Sequence, residues 1–153
     1  MMFPKPGPKK KKGRFTGGME KKAWDAFAMY IKLKHSCQNG FIKCVTCGTV
    51  VNWKGSNKNL QAGHYYNYHN YPQLRFEELN VWPQCYACNV INPEKARGPF
   101  GLFIARTLSE EELTKLEWMA SPKFKKKKTD VDYRFIFEKY SELNKVLRAE
   151  KMF

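Results

Sequence analysis

Acidic residues are scarce in this chain. Only 14 Asp and Glu stand against 28 Lys and Arg, a formal net charge of +14 over 153 residues. Long apolar runs are lacking as well: no stretch approaches the ~20 apolar residues that a helix needs to cross a bilayer. The opening residues, MMFPKPGPKKKK, hold no apolar segment of the kind an export signal requires. The expectation is therefore a cytoplasmic protein with no membrane partner. In that compartment five cysteines argue against disulfides and for metal binding or catalysis. No internal repeat is visible beyond two short cysteine motifs described below. The length suits one domain with tails and is too short for two comfortable ones.

Much of the positive charge is concentrated. KPGPKKKKGR fills residues 5–14 and KFKKKK fills 123–128. Such runs repel themselves and stay solvated unless a polyanion neutralises them. A solubilising tail or a nuclear-localisation signal would account for the first run alone. Because the rest of the chain is basic too, nucleic acid is the favoured partner, its phosphates releasing counterions when lysines bind. Residues 1–18, rich in Pro, Gly and Lys, read as a disordered basic tail. Residues 19–153 read as a single domain.

Within that domain, Trp24, Phe27, Ala28 and Ile31 recur at helical spacing over residues 19–35, which predicts an amphipathic helix. Asn39 and Gly40 end it. FIKCVTCGTVVNW, residues 41–53, is β-branched and aromatic around a CxxCG turn and predicts a hairpin; KGSNKN is then a polar loop. LQAGHYY predicts a second short strand, followed by a Tyr/Asn-rich loop to about Pro72. LRFEELNVWPQ leads into CYAC. Asn92 with Pro93 has the form of an N-cap and first helical position. Ser109 and Glu112 form a capping box ahead of Leu113 and Leu116. Thr129 or Asp130 caps a last helix whose stripe is Tyr133, Ile136, Phe137, Tyr140, Leu143 and Leu147. Both long stripes are core faces, and neither suggests a cofactor.

Cys44 and Cys47 form one CxxC, and Cys85 and Cys88 the other. A CxxC turn points both sulfurs at one tetrahedral ion, and two turns complete a closed four-thiolate site. A redox pair and an iron–sulfur cluster are the alternatives. Two knuckles, each beside a short strand-like segment, favour structural Zn2+. With four sulfurs bound, no coordination position is left for substrate, so chemistry has to come from residues the zinc holds in place. Cys37 is left over, a buried or incidental thiol.

Between and beside the knuckles lie His64, Asn80 and Asn89. Phosphodiester hydrolysis needs a base to activate water, something to orient that base, and a divalent cation for the leaving oxygen. A strand-end histidine can take the proton. An asparagine in the facing loop can hold it, and a second asparagine offers a carbonyl oxygen to a hard cation. KAWDAFAMYIKLKH, CVTCG, LQAGHY and LRFEELNVWPQCYACN, over roughly residues 21–90, resemble the HNH nucleases. More closely they resemble the phage lambda-type recombination endonucleases called NinG or Rap. The resemblance implies an α+β fold: a zinc-stabilised treble-clef or HNH ββα-metal core flanked by N- and C-terminal helices. It implies His64 as general base, Asn80 as orienting residue, and Asn89 at the position of the last ligand to a catalytic Mg2+ or Mn2+. It further implies a phage or prophage origin in a bacterial host, and cleavage of branched recombination intermediates such as Holliday junctions and D-loops.

Two positions depart from the family pattern. Where many HNH motifs carry an acidic residue or histidine that binds the metal, just before the base, this chain has Gly63; His69, Glu77 and Glu78 are the candidate substitutes. After Asn89, INPEKARGPF replaces the usual segment and starts the next helix later. Arg75, in LRFEE, is a candidate for bidentate binding of the scissile phosphate, or else a surface charge. Tyr65, Tyr66, Tyr68 and Tyr71 either stack on unpaired bases or pack beside the core. Plainer roles exist for His64 as a packed strand residue, Asn80 as a turn former and Asn89 as a cap. The alternative function is a non-catalytic zinc-dependent nucleic-acid-binding module. A homodimer would suit symmetric cutting of a junction.

Overall fold

The computed structural model describes residues 18–52, 54 and 60–151; the basic tail and most of the KGSNKN loop lie outside the described residues. Helix α1 spans Met19–His35, matching the predicted bounds. Glu20 in its first turn and Lys32 and Lys34 in its last complement the helix dipole. Its fully buried line is Ala23, Phe27 and Ile31, one step round from the predicted stripe. Trp24 and Ala28 are half-buried because they wall a cleft.

Strands β1 (Phe41–Lys43) and β2 (Val50–Asn52) pair antiparallel around the first knuckle, as the sequence predicts. Gly48 closes that turn: its φ of +77° is a left-handed conformation other residues resist, and its N–H donates to the Cys44 carbonyl at 2.9 Å. Strand β3 (Leu60–His64) pairs antiparallel with β4 (Val81–Cys85), Leu60 opposite Cys85 and His64 opposite Val81. The sequence reading has this segment only as the strand-like lead-in to the second knuckle, and Pro83 falls at the middle of the strand. The structure tolerates this proline because a two-stranded ribbon has an outer edge. On that edge the Pro83 carbonyl accepts from Val45 N–H at 3.0 Å, so the missing Pro83 N–H also falls there, away from β3. The same bond ties the second ribbon to the first knuckle.

After a π-type turn at Ala87–Ile91, helix α2 runs Pro93–Thr107. Asn92 stands at its N-cap without a side-chain cap bond. Helix α3 is Glu110–Met119, with both bonds of the Ser109/Glu112 capping box formed. Helix α4 is Asp130–Lys151, capped by Thr129, whose hydroxyl accepts from Asp132 N–H.

Three apolar clusters hold these elements. Phe27, Ile31, Ala62, Val81 and Tyr140 join α1, the β3–β4 ribbon and α4. Leu74, Phe100, Ile104, Leu108 and Leu116 join the loop before β4 to α2 and α3. Leu33, Ile42 and Leu60 join α1 to both ribbons. Each fully buried Phe, Ile or Leu here contributes about 1.5–3 kcal/mol. Among the described residues, no helix is long and apolar enough to cross a membrane.

Candidate functional site

The sulfurs of Cys44, Cys47, Cys85 and Cys88 all lie within 4.8 Å of one another. Four thiolates at ~2.3 Å from a tetrahedral zinc stand about 3.8 Å apart, and Cys47 Sγ to Cys85 Sγ is 3.7 Å. Donor type, number and spacing therefore fit a closed structural zinc site. Of the two readings of Cys37, buried or incidental, the buried one is corrected: the thiol is exposed and lies outside this cluster.

The two knuckles fix one end of the β3–β4 ribbon. Residue 64 is at the other, four strand positions or about 14 Å away. His64 Nε2 lies 3.0 Å from the Arg75 carbonyl oxygen. A carbonyl only accepts, so the neutral ring carries its proton on Nε2 and leaves the Nδ1 lone pair free. One face of the imidazole stacks on Trp24 (centroids 5.1 Å, 18° between planes), and Tyr68 tilts against it at 5.0 Å. Burial lowers the His64 pKa to about 4, helped by the nearby Arg75 and His69 charges and opposed by the Arg75 carbonyl bond. The ring is thus a neutral base at physiological pH.

Asn80 is fully buried and uses its whole amide. Its Oδ1 accepts from Tyr66 N–H at 2.7 Å, and its Nδ2 donates to the carbonyls of Tyr66 at 3.1 Å and Leu74 at 3.0 Å. The next carbonyl after Leu74 is the one that receives His64. Asn80 is therefore tied to the 65–80 loop that carries the Arg75 carbonyl and is not among the residues lining the cleft.

That cleft, of about 830 Å3, opens between α1, β3 and the start of α2. Its walls include His64, His69, Arg75 and Asn89 among the residues anticipated from sequence. Trp24, Gln61, Glu94 and Arg97 are functional candidates that the sequence reading misses. Asn89 Nδ2 donates to Gln61 Oε1 at 2.6 Å, which leaves Asn89 Oδ1 as an acceptor on the cleft. The Arg75 guanidinium is paired with Glu20 and lies over the rings of Tyr68, Phe76 and Trp24 at 5.0, 5.5 and 5.6 Å. Phosphate binding by Arg75 would have to share or displace Glu20.

Neither Glu77 nor Glu78 lines the cleft. Glu77 accepts from Leu79 N–H. Glu78 is bonded to Tyr30, Lys34 and Tyr140. Burial pushes its pKa up, but the Lys34 charge and these three donors outweigh that and hold it below the usual range. The reason for Gly63 is steric. A Cβ there would lie 1.9 Å from Gln84 Oε1 and 2.7 Å from its Cδ. Gln84 is itself buried, with Nε2 donating to Thr46 Oγ1 at 2.7 Å. Of the four tyrosines, Tyr68 meets His64, while Tyr65, Tyr66 and Tyr71 pack with Phe100 and one another.

The family model described as "Bacteriophage Lambda NinG protein" matches residues 8–150. The chain is similar to "Protein ninG" of Escherichia phage lambda and of Salmonella phage P22, each 36% identical over 67 residues, 39% of this chain and 30% of the relative. It is similar to "Protein ninG" of Escherichia phage 933W at 36% over 67 residues, 31% of that relative. The matched stretch thus spans about a third of those relatives' length. No solved structure matches.

Proposed function

Given that the chain belongs to the NinG family of bacteriophage proteins, we propose that it is a metal-dependent DNA endonuclease of the HNH type with His64 as general base. The observation that carries this reading is the His64 hydrogen bond to the Arg75 carbonyl. It leaves Nδ1 unprotonated and able to take a proton from water. Trp24 and Tyr68 hold the ring plane. Asn80 is a positioning residue, since it pins the peptide to which His64 donates.

The cleft donors are the Asn89 amide oxygen, the Glu94 carboxylate and the His69 imidazole, drawn from different segments. Their largely oxygen chemistry suits Mg2+ or Mn2+, although Gly63 supplies no ligand where the family pattern has one. Such a cation, when bound, would stabilise charge on the scissile phosphate and the departing oxygen. Arg97 and the half-buried Lys32 add positive charge to the walls. Substrate selection would rest on branched DNA shape more than on base readout, because no helix stands out as a reader of base edges. The side-chain gap at Gly63 favours the second reading, a zinc-dependent DNA-binding module without catalysis.

One experiment separates them. Purified protein is incubated with a synthetic four-way junction and with linear duplex, in Mg2+, in Mn2+ and in EDTA. The expected result is metal-dependent cleavage that His64→Ala reduces by at least about 100-fold, as removal of a general base does. No cleavage in either metal, or cleavage unchanged in the variant, would leave the binding module.

A further inference from the structure

Trp118 is 56% exposed at the C-terminal end of α3. That helix is already anchored by Leu116, with Leu113 and Met119 packed on the same cluster, so the indole is not needed to hold it. Its ring rests on Phe124, centroids 4.2 Å apart at 56°, in the short turn Pro122–Phe124. The Lys123 ammonium lies 5.3 Å from the Trp118 centroid and 4.9 Å from that of Phe124. Lys125, Lys126 and Lys127 follow, all exposed. The acidic turn of α3, Glu110 to Glu112, lies at the opposite end of the helix, roughly 10 Å away.

We propose that Trp118, Phe124 and the lysines at 123 and 125–127 form a docking surface for single-stranded DNA. An unpaired base stacks on the open face of Trp118 and the lysines hold the adjoining phosphates. The combination selects this ligand. An exposed aromatic ring accepts the π-face of any base, and a lysine run tracks a backbone without reading sequence. Duplex DNA keeps its bases stacked inward and offers the indole nothing. The surface also has a defined relation to the cleft. Gln73 Nε2 donates to the carbonyls of Met119 at 3.2 Å and Ser121 at 3.4 Å, and Lys128 Nζ donates to the Pro72 carbonyl at 3.4 Å. Both ends of segment 119–128 are thereby tied to the segment whose Arg75 carbonyl receives His64. A strand held on Trp118 is thereby linked to the 72–75 segment, whose Arg75 lines the cleft, which makes the junction between unpaired and paired DNA the natural object to be gripped. The inference rests on the proposed function for the identity of the polyanion as DNA, but not for catalysis.

The test uses the full chain, zinc-loaded, with fluorescence anisotropy on labelled dT20 and on a 20-base-pair duplex in EDTA-free buffer. Trp118→Ala is expected to weaken dT20 binding about 5- to 150-fold, the span of one lost base–aromatic stack, with duplex binding changed less than about threefold. Trp118→Phe should recover most of the loss. Replacing Lys125, Lys126 and Lys127 with Ala should lower the salt slope for dT20 by about 2, whereas Trp118→Ala leaves that slope unchanged. Circular dichroism and zinc content of each variant exclude unfolding as the cause. Equal loss on dT20 and duplex, no loss in Trp118→Ala, or tighter binding of the matching RNA or of an acidic peptide at the same surface would each overturn the proposal. Failure of the cleavage assay with Trp118-dependent dT20 binding intact would sink the nuclease reading and leave this surface standing.

Discussion

His64 and Gly63 are neighbours on one strand, and each obeys a different constraint. His64 has a folded-state pKa of about 4 against an ordinary 6.5, lowered first by burial. The unfolded chain therefore takes up the proton first as the pH falls. The stability held by the neutral ring is intact above about pH 6.5 and is lost progressively toward pH 4. His35, half-buried like His64 and also lowered to about 4 by desolvation, acts in the same window with the same sign. Thermal midpoints measured from pH 7 to pH 4 should fall over this interval, and His64→Gln should flatten part of the decline. A midpoint constant across the interval would contradict the assignment. In the cleavage assay the acid limb of kcat/KM reports the folded ring and is expected near pH 4. At Gly63 the constraint is room: Gly63→Ala drives a methyl into the Gln84 side chain and breaks its Thr46 bond. The expected cost is about 1–3 kcal/mol by denaturant titration, relieved when Gln84→Ala is added. A single variant as stable as the parent would show that the approach is not close.

Helices α1 and α4 pair along their length, and the pairing is closed by one residue from the far end of the chain. The Lys151 ammonium donates to the carbonyls of Leu33, Lys34 and Ser36 at the C-terminus of α1, at 2.5 Å to Ser36 and 3.2 Å to Lys34. The Leu33 carbonyl also accepts from the Ser36 hydroxyl at 3.2 Å, and the positive charge meets the negative end of the dipole. Lys151→Met keeps the aliphatic stem and removes the donors. It is expected to lower stability by about 1–2 kcal/mol in urea unfolding. An unchanged midpoint would mean that water replaces the ammonium without loss. By contrast, α3 takes its start from adjacent residues: Ser109 and Glu112 bond each other's backbone N–H groups, which is why its N-terminus is legible in the sequence while the Lys151 cap is not.

For the molecule as a whole, the four sulfurs are the joint between two ribbons that make no mutual strand pairing. Cys85 ends β4, opposite the first residue of β3, and Cys88 immediately precedes Asn89. Loss of zinc should therefore loosen both the ribbon carrying His64 and the turn carrying Asn89. The full chain is expected to hold one zinc by mass spectrometry and to drop in thermal midpoint by more than about 10 °C in excess chelator, with Cys85→Ser behaving the same way. Full chelation without a change in melting would remove the structural role.

Local signals carried far in this chain. Spacing placed α1 at its bounds, the Ser109/Glu112 box marked the start of α3, Thr129 or Asp130 that of α4, and two CxxC turns announced one metal site. Each helix start and each CxxC turn is settled by residues a few positions apart, while the shared site joins Cys47 to Cys85, 38 positions on. The pairing of β4 with β3 was not legible, because Pro83 lacks a ladder donor and only the free edge of a two-stranded ribbon makes it harmless. The same holds for the site. His64 and Asn80 could be picked out as residues, but not the route between them through Leu74 and Arg75, nor the Trp24 ring behind the imidazole, nor the Glu20 partner of Arg75. Those contacts range from the loop-local Asn80–Leu74 bond to the Arg75–Glu20 pair, 55 positions apart, and side-chain packing, not periodicity or capping, decides which groups meet.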